Sequence, residues 1–104
     1  NEDMIANDSE TVQAFVSAVK KGYEYAIANP DASAEILAEI IPEYDIAFLK
    51  ESQKFLSEQY SLDSDVWGLM KDEVWDNYTQ FMYEYGLIKK SVAVSEQYTN
   101  EFIK

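Results

Sequence analysis

The chain has 104 residues, of which 47% are hydrophobic, and its 20 acidic residues against 8 basic ones give a formal net charge of −12. This length supports one hydrophobic core, and an acidic surface repels phosphate backbones, so we expect no nucleic-acid partner. Neither cysteine nor histidine is present, which excludes a disulfide framework, thiolate ligands and the commonest general base and metal ligand.

The N-terminal part predicts one long amphipathic helix after an irregular or extended lead-in over residues 1–6. Asn7 can cap this helix, with Glu10 three residues later in the position of a capping box. We predict the helix from about residue 8 to residue 28, and Gly22 inside it predicts the close approach of another element. Its apolar positions recur at helical spacing: Val12, Phe15, Val16, Val19, Tyr23, Ala26 and Ile27.

The sequence Asn29-Pro30-Asp31 predicts the start of a second helix, with asparagine as its cap and proline at the first helical position. We expect this helix to end at Ile41, because Pro42 pushes the preceding residue out of helical space. Its predicted buried side consists of Ala34, Leu37, Ile40 and Ile41.

Asp45 is the predicted cap of a third helix, which precedes a polar connector at residues 61–65. The apolar stripe of this helix consists of Ile46, Leu49, Phe55, Leu56 and Tyr60.

The stretch from Trp67 to Ile88 contains both tryptophans and predicts a fourth helix that ends at Gly86. Residues 89–95 then form a loop, and residues 96–103 a short terminal helix or turn that packs Tyr98, Phe102 and Ile103 on the bundle. The predicted buried positions of the fourth helix are Met70, Val74, Tyr78, Phe81 and Tyr85, with Trp75 and Met82 beside them. The predicted exposed positions are Asp72, Glu73, Asp76, Asn77 and Gln80. The expected fold is all-α, with four main helices and a short C-terminal helix in a single segment, 1–104.

Candidate chemistry is sparse. The sequence from Asp63 to Gly68 is similar to the start of a calcium loop, but Trp67 and Val74 occupy the fifth and twelfth positions, where oxygen ligands are required. The acid pairs Glu35/Glu39 and Asp72/Asp76 lie one helical turn apart, opposite the apolar stripes, with no histidine to complete a site. We therefore predict no catalytic, metal-binding or cofactor-binding residue, and we expect the aromatic residues to form core packing instead of a stacking platform for a ring ligand.

Several short motifs, taken in order, resemble one protein family. They are Phe15-Val-x-Ala18, Gly22-Tyr-x-Tyr-Ala26, Asn29-Pro-Asp31, Trp67-Gly-x-Met70, Glu73-Val-Trp-Asp-Asn-Tyr78, Tyr83-Glu-Tyr-Gly-Leu-Ile88 and Tyr98-Thr-Asn-Glu-Phe102. The chain resembles the substrate-binding proteins of ABC importers, in the branch for thiamine-pyrimidine precursors, sulfonates and taurine. It departs from that family at Lys71-Asp72, where Asp-Pro is usual, and this departure predicts a weaker cap at the start of the fourth helix.

The resemblance implies a two-lobed α/β protein of the type II periplasmic-binding-protein fold, of which this chain is the C-terminal third. It implies an extracytoplasmic location, in the periplasm or at the cell surface as a membrane-anchored lipoprotein, and an ABC permease as partner. The solute is expected to be a thiamine precursor or a similar heteroaromatic or sulfonate compound. Its ligand residues lie mostly upstream of this chain and stay unknown, with residues 1–3 nearest the cleft.

Two other hypotheses follow from the same sequence. One is a free-standing acidic helical module that binds proteins through an exposed aromatic face. The other is an enzyme similar to the eukaryotic pyrimidine synthase of the same family, but the reactive histidine of that enzyme has no counterpart here. Because the chain has no strand-rich segment to cover its long helices, we also expect the isolated chain to form a homodimer.

Overall fold

The computed structural model describes residues 1–60 and 66–103, and the all-α class is confirmed, because no strand occurs within these ranges. The helices are α1 (Glu2–Asn7), α2 (Ser9–Ala28), α3 (Pro30–Ile40), α4 (Ile46–Gln59) and α5 (Asp72–Glu84), with a 3₁₀ turn at Val94–Glu96. The chain divides into two compact units, Asn1–Trp67 and Gly68–Lys104. Among the described residues, no helix is long and apolar enough to cross a membrane. The connector predicted at 61–65 lies outside the described residues.

The irregular lead-in predicted for residues 1–6 is wrong, because these residues belong largely to α1. Asn1 caps this short helix, accepting a hydrogen bond from the Met4 amide at 2.9 Å, and Asn7 lies at its C-terminal end. The cap of α2 is therefore Asp8, whose Oδ1 lies 3.4 Å from the Thr11 amide nitrogen. Six residues carry too little apolar periodicity for this helix to be recognised in the sequence.

Asn29 occupies the predicted cap position of α3 but makes no side-chain cap hydrogen bond there. Its amide group instead donates to the Tyr25 carbonyl at 3.1 Å, and its backbone N–H donates to the same oxygen at 2.8 Å. Asn29 therefore closes α2. The helix α3 ends at Ile40, with Ile41 as its C-cap directly before Pro42, as the proline predicts.

Helices α3 and α4 form an antiparallel pair. Asp45 caps α4 as predicted, because its Oδ1 accepts from the amides of Ala47 and Phe48 at 2.9 and 3.2 Å. Two ion pairs join the helices in antiparallel register: Lys50 Nζ lies 2.6 Å from Glu35 Oε1, and Lys54 Nζ lies 3.6 Å from Asp31 Oδ1. Ala34 is 1% exposed and Leu49 is 6% exposed, so these residues form the centre of the unit.

Half of the other apolar residues predicted for the core of this unit are exposed, and the other half are only half-buried. Ile40 is 72% exposed and Phe55 is 66% exposed, and Leu37, Ile46, Leu56 and Phe15 are also exposed. Gly22 does not mark a close approach either, because a Cβ placed there would meet nothing within 4 Å. Within the described residues, the apolar faces of α2, α3 and α4 are therefore only partly covered.

Helix α5 packs through a face different from the predicted one. Val74, Tyr78, Phe81 and Tyr85 are all exposed, with Tyr85 at 70%, whereas Thr79 is only 6% exposed. Thr79 Oγ1 donates to Gln97 Oε1 at 2.9 Å, and Trp75 and Met82, one turn to either side, are half-buried. Because the buried centre of this face is a polar threonine, apolar periodicity pointed to the wrong side of the helix. The acids predicted to be exposed are exposed.

Gly86 ends α5 as predicted. Its φ is +68°, a left-handed conformation that glycine adopts without a steric penalty. The Gly86 amide donates to the Tyr83 carbonyl at 3.0 Å, and the Leu87 amide donates to the Met82 carbonyl at 2.8 Å, which is the hydrogen-bond pattern of a Schellman motif. The chain then returns along α5, and the Phe102 side chain is buried, with only 8% of it exposed.

We predict that Asp45→Ala lowers the free energy of unfolding by about 1 kcal/mol, because two amides at the start of α4 lose their acceptor. Asp45→Asn is the matched control, because asparagine caps helices about as well. Urea denaturation followed by circular dichroism measures both variants. An equal loss in the asparagine variant would show that the charge of Asp45, and not its hydrogen bonds, stabilises α4.

The hydrogen bond from Lys50 to Glu35 raises the pKa of Lys50 above its ordinary value of 10.5. The charged form is therefore favoured in the folded state. The pair contributes stability below pH 10.5, and this contribution is lost as the pH rises through the raised pKa. We expect Glu35→Gln to lower the Lys50 pKa in an NMR titration of its Nζ, and Glu39→Gln to leave that pKa unchanged. An unchanged pKa in Glu35→Gln would mean that the pair does not persist in solution.

Candidate functional site

The first unit contains an apolar groove bounded by α2, α3 and α4, with a volume of about 410 Å³. We refer to it as the α2–α4 groove. Helix α3 contributes three large aliphatic side chains and Ser33, whereas α2 contributes Val19 with small and aromatic residues, and Gln53 and Tyr60 come from α4 and its C-cap. The groove is lined by Val19, Gly22, Tyr23, Ala26, Ser33, Ile36, Leu37, Ile40, Gln53 and Tyr60. Its volume falls within the range of small-molecule pockets, but such pockets enclose most of their ligand between converging walls.

Tyr23, one of the residues that line the groove, belongs to an aromatic cluster. Its ring meets Tyr60 edge to face, with centroids 4.9 Å apart, and lies 4.9 Å from the Trp67 ring at a tilt of 34°. Such pairs are favourable beyond the area that they bury. Because Tyr23 already contacts two rings, the cluster is part of the wall of the groove and not a free stacking platform.

The polar groups in the α2–α4 groove are few. The Tyr60 hydroxyl lies 3.4 Å from Gln53 Oε1, a long hydrogen bond. Ser33 Oγ is buried and has no hydrogen-bond partner. Among the described residues, none of those that line the groove is charged, so this lining offers no partner for an ion pair.

The second unit has a smaller hollow of about 210 Å³ beside α5. It is lined by Trp75, Tyr78, Thr79, Met82, Ile88, Val92 and Gln97. Gln97 is held in place from two sides, because it accepts from Thr79 and its Nε2 donates to the Val92 carbonyl at 2.9 Å. Thr79 and Gln97 therefore bond each other, and the other residues of the lining are aromatic or aliphatic.

Asn100 joins the two ends of the second unit. Its Oδ1 accepts from the Met70 amide at 3.0 Å, and its Nδ2 donates to the Met70 carbonyl at 2.8 Å. Tyr98 adds a contact nearby: its ring stacks on Trp75 at 5.5 Å, and its hydroxyl donates to Asp72 Oδ1. That hydrogen bond, together with burial, raises the pKa of Tyr98.

The structure does not bring the acid pairs into a joint site. Glu35 pairs with Lys50, and Asp72 accepts from Tyr98. Within residues 1–60 and 66–103, no cluster of three acidic, histidine or cysteine side chains exists that could hold a metal ion. Asp63 and Asp65 of the calcium-like sequence lie outside the described residues.

The aromatic residues form pairs, but they do not form the deep core that we expected. Phe81 and Tyr85 lie 4.6 Å apart, and Tyr44 and Phe48 lie 6.2 Å apart, yet all four are exposed. The residues that sequence reasoning missed are polar: Asn100, Gln97 and Thr79. Asn100 lies in the motif Tyr98-Thr-Asn-Glu-Phe102, but no periodicity marks a side chain that bonds a backbone segment 30 residues away.

Comparison with known proteins gives two matches. Residues 1–33 match the family described as NMT1/THI5 like. In addition, 99% of the chain aligns with the riboflavin-binding protein RibY of Chloroflexus aurantiacus, with 32% identity over 114 residues. The chain spans 31% of the length of that relative.

We predict that Asn100→Asp destabilises the second unit by about 1 to 3 kcal/mol, because a carboxylate oxygen replaces the donor that faces the Met70 carbonyl. Asn77→Asp makes the same chemical change on the exposed side of α5 and should cost less than about 0.5 kcal/mol. Trp75 fluorescence during urea denaturation, in a Trp67→Phe background, reports on this unit. Equal midpoints for the two variants would contradict the role of Asn100.

Proposed function

The chain belongs to the NMT1/THI5-like family, which is an ABC-type substrate-binding family. We therefore propose that it is a helical scaffold segment of the solute-binding component of an ABC importer. The observation that carries this proposal is the alignment of 99% of the chain with a protein named for binding riboflavin. The chain spans 31% of that relative, so the proposed activity is that of a longer polypeptide.

A scaffold role agrees with the local chemistry. The raised pKa values belong to Lys50, Lys54 and Tyr98, and each arises first from a hydrogen bond to a nearby carboxylate. None of these three residues lines the α2–α4 groove or the hollow beside α5. These pKa shifts are local effects of ion pairs and hydrogen bonds outside both cavities, which agrees with a scaffold role.

For the solute, we propose a flat heteroaromatic compound, such as a flavin or a thiamine-pyrimidine precursor. The name of the relative favours a ring solute over a sulfonate or taurine. The remaining walls of its site, and the residues that hold it, would come from outside this chain. The proposed location is extracytoplasmic, in the periplasm or at the cell surface through a membrane anchor, and the proposed protein partner is an ABC permease.

One observation favours a second candidate, an acidic protein-interaction module. Large apolar side chains such as Phe15, Ile40 and Phe55 are more than 60% exposed, and an extended apolar surface commonly marks an interaction site. A module of this kind would use the surface in the isolated chain. For the isolated 104-residue chain, we still predict a homodimer.

The two candidates separate in a binding experiment. We expect the full-length polypeptide to bind riboflavin or a thiamine-pyrimidine precursor in isothermal titration calorimetry, and the 104-residue chain alone to show no heat of binding. The physical reason is that one wall cannot enclose a ring solute. Taurine serves as the sulfonate control. A full-length polypeptide that binds none of these solutes would contradict the proposal.

A further inference from the structure

Residues 97–103 contact α5 and the turn before it in antiparallel order, and we refer to this segment as the clasp. As the clasp proceeds towards the C-terminus, the residues that it contacts move back along the chain. Gln97 meets Thr79, Tyr98 meets Trp75 and Asp72, Asn100 meets Met70, and Ile103 meets Gly68. One short segment is therefore attached at several points along its length.

Two hydrogen bonds lie inside the clasp and do not involve α5. The Glu101 amide donates to Thr99 Oγ1 at 3.1 Å, and the Ile103 amide donates to the Asn100 carbonyl at 3.0 Å. Helix α5 in turn has the backbone hydrogen bonds of its own helical turns. Because neither set joins the clasp to the helix, the clasp can leave α5 without breaking them.

The contacts named above are made by side chains of the clasp. Asn100 makes two hydrogen bonds to the backbone of Met70, at 3.0 and 2.8 Å, and the Tyr98 ring stacks on the half-buried Trp75 ring. A single neutral hydrogen bond contributes little net stability. Contacts on one short segment nevertheless support one another, because each contact that forms keeps the others within reach. We therefore expect the clasp contacts to form and break together.

We propose that the clasp is a latch that opens and closes over α5 as one unit while the helix stays folded, and that its opening uncovers the Trp75 ring. Gln97 and Trp75 both line the hollow beside α5, so opening also removes one wall of that hollow. Such local opening costs less free energy than unfolding of the whole unit. This conformational device lies within residues 68–103 and does not depend on the proposed function.

Amide hydrogen exchange of the 104-residue chain, measured by NMR at neutral pH, tests the latch at an atom that the substituted residue does not touch. The Met70 amide is the reporter, because it lies before α5 and donates to Asn100 Oδ1. Tyr98→Ala removes the contacts of the clasp with Trp75 and Asp72, neither of which involves Met70. Tyr83→Ala removes an exposed tyrosine of α5 and is the matched control.

We expect Tyr98→Ala to speed the exchange of the Met70 amide by at least about tenfold, and Tyr83→Ala to change it by less than about threefold. The amides of residues 78–82, inside α5, should change by less than about threefold in both variants, because the helix stays folded when the clasp opens. Tyr98→Phe keeps the ring and loses only the hydroxyl, so it should give an intermediate Met70 rate. This variant replaces Tyr98→Ala if circular dichroism shows that the alanine variant loses helix.

An unchanged Met70 rate in both Tyr98 variants would overturn the latch, because the contacts of the clasp would then be independent of one another. Equal acceleration of the Met70 amide and of the amides of residues 78–82 would also overturn it. In that case the clasp would open only when the second unit unfolds.

Discussion

The first unit depends on the close contact between α3 and α4. Ala34 lies at the centre of this contact, and because its side chain is a single methyl group, the two helices can approach closely around it. The turn before α4 is determined by Pro42, which ends α3, and by Asp45, which satisfies two amides of the next helix. Helix α2 then packs against this pair, and the two lysine-carboxylate pairs set the register.

Around this contact the structure exposes much of its apolar surface. Nearly half of the residues are hydrophobic, yet among the described residues only Ala34, Leu49 and Phe102 are apolar and buried. Burial of apolar surface is worth roughly 25 cal/mol per Å², so an uncovered groove is a strong physical reason for a further covering element. The walls of both cavities consist mainly of the same kind of apolar and aromatic surface.

The second unit is organised differently, because hydrogen bonds and not a deep apolar core define its arrangement. Asn100 bonds both backbone groups of Met70, and Gln97 connects Thr79 with the Val92 carbonyl. Removing one member of such a network leaves a polar atom unpaired, which costs more than the net gain of the bond that it made. The hydrogen-bond network therefore gives this small unit a specific geometry.

The sequence by itself determined the helical class, the bounds of four helices to within a few residues, the cap at Asp45, the Gly86 ending and the family. These features depend on interactions among neighbouring residues, so local patterns report them. Tertiary structure alone decided which helix faces are covered. Apolar periodicity places Ile40 and Tyr85 on a stripe, but whether a stripe is buried depends on what packs against it. Thr79 is buried, and its hydroxyl donates a hydrogen bond to Gln97, 18 residues away. No local pattern contains that information.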